Sequence, residues 1–176
     1  MMTNNEERQL GRAKNAVLAF LEQRLSIPKI YIDAVWDGHQ IDVLAINRDG
    51  VGDVHVVQLV PRKYLPDNAL DKATEWITEK ELIERLANIP AQFRYIGVLD
   101  TDSSRHYAQF EISSAVSEKS FAPDGLGRVG FLKVDVPENG DPQVKLEIKP
   151  ERFRAKIAKL ADDYIQQHEA DWEIRA

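Results

Sequence analysis

The residue whose type and setting first suggest chemistry is Asp42, a carboxylate inside the apolar run Ile41-Asp42-Val43-Leu44-Ala45-Ile46. A charge in such a run is costly unless something compensates it. The next strand-like stretch, Val54 to Val60, would run beside it and carries Gln58-Leu59-Val60, with no second carboxylate and no lysine. Arg62, Lys63 and Lys72 follow the strand and form the basic cluster able to meet a phosphate, although adjacent basic residues in a loop are usually just solvated. The bland alternative for Asp42 is a buried acid satisfied by backbone donors or by a basic side chain.

Other constellations carry less. His39, His55, His106 and His168 fall in four different elements without His-x-x-His or His-Glu-x-x-His spacing, so no zinc site is expected. The serines between Ser103 and Ser120 lack a Gly-x-Ser-x-Gly elbow, which removes support for a hydrolase triad. Gly125-Leu126-Gly127-Arg128-Val129-Gly130 imitates a phosphate-binding loop. It precedes a strand instead of joining a strand to a helix, so it reads as a turn.

The elements that must position Asp42 follow from periodicity. Leu10, Ala13, Val17, Phe20, Leu21 and Leu25 recur at helical spacing and predict a first helix from Asn4 or Asn5 to about Leu25. Pro28 ends it. Strands are expected at about Ile30 to Trp36, Gln40 to Ile46 and Val54 to Val60. Asp37-Gly38 supplies a two-residue hairpin between the first pair, and a turn-rich stretch from Asn47 to Asp53 separates the second. A helix from Asp67 or Asn68 to about Asn88 and a strand from Phe93 to Leu99 come next, an order that implies a right-handed parallel crossover. Ser103 to Ser120 has helix-compatible spacing. Arg128 to Val136 and Val144 to Ile148 read as an antiparallel pair, and a long terminal helix is expected from Pro150 to about Ala170.

Composition bounds the function. The 176 residues suit one domain with a substantial core: a core over about residues 4–99 and a C-terminal extension over about 100–176. With 43% hydrophobic and 30% charged residues the chain reads as globular, not disordered. No apolar run is long enough for a bilayer, and the polar N-terminal stretch is no secretory signal, so a cytoplasmic location and no membrane contact are expected. The absence of cysteine excludes disulfides and thiolate chemistry. A formal charge of −6 repels nucleic acid on average, which favours a protein partner or a homo-oligomer over nucleic acid.

A leading helix, a hairpin into an Asp-bearing strand, a third strand, a helix and a further strand together resemble the core of the PD-(D/E)xK nuclease superfamily, the restriction-endonuclease-like α/β fold. The resemblance spans roughly Asn4 to Leu99 and rests on element order and Asp42. It implies that Asp42 matches the first metal-binding acid, that Gln58 stands where the second acid belongs and Val60 where the lysine belongs, and that Glu22 matches an accessory acid found in some members. In the family, the acids hold a divalent cation that activates water, and the lysine adds positive charge beside it. Two of three essential positions are lost here. The expectation is therefore a catalytically inactive domain that binds a macromolecule or serves as a subunit of an assembly, with no cofactor. One alternative is a metal-dependent nuclease with a rearranged site, which would use magnesium; another is a structural or interaction protein that forms a homo-oligomer.

Overall fold

The computed structural model describes residues 4–26, 28–48, 53–60, 85–100 and 129–169. Helix α1 (Asn4–Arg24) leads into the antiparallel strands β1 (Pro28–Trp36), β2 (His39–Asn47) and β3 (Val54–Val60). Strand β4 (Phe93–Asp100) lies parallel to β3, β5 (Gly130–Asp135) parallel to β4, and β6 (Gln143–Ile148) antiparallel to β5. The six described strands form one mixed sheet in sequence order, so the C-terminal extension continues the sheet of the core. Helix α2 (Ala158–Gln167) closes the described chain. The helix expected at 103–120 and most of the one expected at 67–88 lie outside the described residues. No described helix is long and apolar enough to cross a membrane.

The sheet is covered on both sides, which explains why β3 and β4 are almost continuously apolar. On one face Ala13, Val17 and Leu21 of α1 pack on Val43, Ala45, Val57, Leu99, Leu132 and Val134. On the other, Ala161, Tyr164 and Ile165 of α2 join Tyr31, Trp36, Leu44, Val56 and Phe131. Tyr164 meets Tyr31 and Trp36 edge-on, with ring centroids 5.0 and 5.5 Å away. The apolar face of the terminal helix is thus buried within the chain. Asp37 and Gly38 both take positive φ, 49° and 79°, as a hairpin of two turn residues requires.

The terminal helix differs from expectation: it begins at Ala158, and residues 150–157 are not helical. Tertiary bonds compete with the helix there. The Phe153 N–H donates to the carbonyl of Gln92 at 2.7 Å, and the carbonyl of Ala155 accepts from Gln92 Nε2 at 3.2 Å. Arg152 forks onto Asp53 (2.9 and 3.2 Å), and the guanidinium of Arg94 lies 5.0 Å from the centre of the Phe153 ring. The segment is a strap laid along the start of β3 and β4.

Candidate functional site

Asp42 and Gln58 lie on adjacent strands, at the point where β2 and β3 stop pairing. The ladder between them runs from Ile46↔Val54 to Val43↔Val57. Beyond it, side chains replace backbone. The Asp42 N–H donates to Gln58 Oε1 at 3.1 Å, Gln58 Nε2 donates to the carbonyl of Gln40 at 2.7 Å, and the Leu59 N–H donates to Asp42 Oδ2 at 2.7 Å. These three bonds close a fork that would otherwise expose backbone donors and acceptors.

The same place disturbs β1. Ile32↔Val43 and Ala34↔Ile41 flank Asp33, which therefore stands opposite Asp42 with φ at 54°. Strict alternation would put Ile30 and Ala34 on one face, and Ile41 and Val43 on one face. Instead Ile30 and Val43 pack with α1, while Ala34 and Ile41 pack on the other side. Both strands turn over together at the Asp33–Asp42 position. Aspartate is among the few residues that tolerate left-handed backbone.

The turnover aims Asp42 at α1, where Lys14 waits. Lys14 Nζ lies 2.5 Å from Asp33 Oδ1 and 3.8 Å from Asp42 Oδ1. The Lys14 side chain is 14% exposed and that of Asp33 63%, so the ammonium sits at the mouth of the site with one carboxylate inside and one at the surface. Burial pushes the carboxyl of Asp42 above its ordinary value; the Leu59 N–H and Lys14 oppose that, and the nearby Asp33 charge adds to it. Desolvation wins here.

An open groove of about 340 Å³ adjoins the pair, lined by Glu7, Gly11, Lys14 and Asn15 of α1 together with Ile32 and Asp33 of β1. Glu7, Gly11 and Lys14 share a helix face by their i, i+4, i+7 spacing. The acid that α1 turns toward the groove is therefore Glu7. Glu22 is exposed just past the buried Leu21, about 12 Å along the axis from Lys14 at 1.5 Å per residue. Among the described residues no group of three acidic or histidine side chains is arranged to hold a metal. Arg62, Lys63 and Lys72 lie outside the described residues, as does the side chain of Val60.

Lys14 and Asp33 are the partners that motif reasoning misses. Asp33 was within reach of a count, because a two-residue turn at 37–38 pairs Trp36 with His39 and so sets Asp33 against Asp42. Lys14 had no such signal, since its role depends on how α1 crosses the sheet. No protein-family model matches the sequence, and no curated protein matches it.

A divalent cation fits these residues poorly. Magnesium asks for oxygen ligands in near-octahedral array, yet one Asp42 oxygen already accepts the Leu59 N–H and the Gln58 carbonyl oxygen accepts the Asp42 N–H. The ammonium of Lys14 already lies between the two carboxylates.

Proposed function

We propose that this chain is a catalytically inactive restriction-endonuclease-like domain that acts in macromolecular binding or as a subunit of an assembly, in a cytoplasmic setting. The order of helix, three-stranded meander and parallel strand supports the fold reading. The observation that carries the functional one is the closed fork: the side chains at the motif positions Asp42 and Gln58 are each engaged by the backbone of the opposite strand, Asp42 by the Leu59 N–H and Gln58 by the Asp42 N–H and the Gln40 carbonyl. Opening it would exchange these bonds for bonds to water at a net cost of about 1 kcal/mol each.

One observation favours the alternative of a rearranged metal-dependent nuclease: Lys14 brings a positive charge to within 3.8 Å of Asp42, the kind of charge the missing strand lysine would supply. The two readings part in one assay. Plasmid and oligonucleotide substrates are incubated with magnesium or manganese and the wild type, Asp42→Ala or Lys14→Ala. No cleavage above background is expected from any of the three. Cleavage by the wild type that disappears in both variants would replace the inactive reading with the rearranged one.

A further inference from the structure

The strap at 150–157 carries a charge pattern unlike the rest of this acidic chain. Between Lys149 and Lys159 stand five basic residues (Lys149, Arg152, Arg154, Lys156 and Lys159) and one acid, Glu151. The strap alternates as a strand would: Phe153 and Ala155 are half-buried and Ile157 is buried, whereas Arg152, Arg154 and Lys156 are exposed. Successive outward side chains are therefore spaced by about 6.6 Å at the rise of an extended chain. Asp53 engages Arg152, which leaves Arg154 and Lys156 as the centre of the comb. Lys159 continues it onto the first turn of α2, which holds no acidic residue and whose N-cap makes no side-chain hydrogen bond, so the helix dipole adds to the positive field.

We propose that this comb docks a short, extended, acidic segment of a partner protein, with carboxylates at alternate positions; this rests on the reading of the chain as a binding or subunit domain. The two-residue repeat of an extended peptide matches that of the strap, setting each outward basic side chain against one carboxylate. The strip is also short, bounded by exposed Glu151 before it and exposed Asp162 and Asp163 after it. Its attraction fades within a screening length of about 8–10 Å, so a peptide of a few residues feels the strip while a longer polyanion runs onto acidic surface of a chain whose net charge is −6. Single-stranded nucleic acid would want exposed aromatic platforms for its bases, and the strap's one aromatic, Phe153, is turned inward beneath Arg94. A membrane would want apolar side chains facing out, and those of the strap face in. The bonds from Gln92 hold the strap's backbone in place before binding, which lowers the ordering cost of association.

Fluorescence anisotropy tests this with a labelled peptide of alternating glutamate and serine, read against a peptide with the same glutamates in one block, an oligothymidylate of equal charge, and anionic phosphatidylserine vesicles. The alternating peptide is expected to bind most tightly, to weaken as salt is raised, and to lose on the order of tenfold in affinity to the double variant Arg154→Glu/Lys156→Glu. Arg154→Gln/Lys156→Gln, milder for folding, should lose less in the same direction, with circular dichroism confirming both folds. No binding, equal binding of the two peptides, tighter binding of the oligothymidylate or vesicles, or indifference to both variants would overturn the proposal. Asp42→Ala should bind the peptide as the wild type does, so a failure of the inactive-site reading would show in cleavage and a failure of the comb in anisotropy.

Discussion

The two ends of β3 are held by the same device put to different use. At its start, the Val54 N–H donates to Gln92 Oε1 at 2.7 Å and the carbonyl of Val54 accepts from the Gln92 N–H at 3.1 Å, while Gln92 Nε2 and its carbonyl bind the strap. At its end, Gln58 spends its amide on the backbone of β2. Both glutamines stitch backbone where a ladder is interrupted. They differ in surroundings: Gln92 is 5% exposed and joins segments more than 60 residues apart, whereas Gln58 is half-buried at an open fork beside a carboxylate. Position in a motif draws attention to Gln58, yet burial makes Gln92 the stronger clamp.

Truncating each glutamine puts that ranking at risk. Gln92→Ala strands the buried Val54 N–H and removes the donor to Ala155, so a loss of about 2–4 kcal/mol is expected in urea unfolding. Water can replace the Gln58 amide at the fork, and Gln58→Ala should cost about 1 kcal/mol. Equal losses, or a larger one at Gln58, would mean that the fork is a structural keystone and that the contrast between the two ends is wrong.

The ends also differ in what they bury that can titrate. His55, beside Val54, is 6% exposed; its ring stacks on Phe93 at 4.5 Å and its Nδ1 lies 3.2 Å from the Tyr95 hydroxyl. Burial pushes the imidazole down to about 4, against a smaller opposing pull from Asp53. A histidine with a depressed folded value takes up its proton first in the unfolded chain, so stability is unaffected above about pH 6.5 and falls as pH drops from 6.5 toward 4. The fall amounts to about 3 kcal/mol. His55→Gln should flatten the slope of urea midpoint against pH across that window, and an unchanged slope would show that the imidazole protonates in place.

The six described strands and the Asp37-Gly38 hairpin were legible in the sequence, because period two and turn chemistry are local signals. The strap was not, and the reason lies in one residue. Phe153, Ala155 and Ile157 have the spacing of a strand, while Ile157, Leu160, Ala161 and Tyr164 have the spacing of a helix. Ile157 belongs to both patterns, so the helical pattern reads back through it to Pro150 unless Gln92 is known to lie alongside. The adjacency of Asp42 and Gln58 followed from strand order. Lys14 did not, because a partner contributed by a helix lying across a sheet leaves no mark in local spacing, and neither did the turnover of β1 and β2 that aims Asp42 at it.

The smallest effect is expected at Asp42 itself, and its sign is the informative part. Burial raises its carboxyl above the ordinary value despite the Leu59 N–H and Lys14, so in the folded chain the neutral form is favoured relative to the unfolded one. The sign is opposite to that of His55 at the other end of β3. The folded state holds the proton more readily in the window just above the ordinary carboxylate value, and stability is lost as pH rises through that window. Asp42→Asn keeps an oxygen to accept the Leu59 N–H, removes the buried charge, and leaves Lys14 its bond to Asp33. At pH 7 it should therefore be neutral or stabilising by less than about 1 kcal/mol, a gain that shrinks toward pH 4 as the wild-type carboxyl protonates. A loss of more than about 2 kcal/mol at pH 7 would mean that the attraction of Lys14 outweighs desolvation. The pair would then be a charged centre held together by the fold, and the rearranged-site reading would gain at the expense of the inactive one.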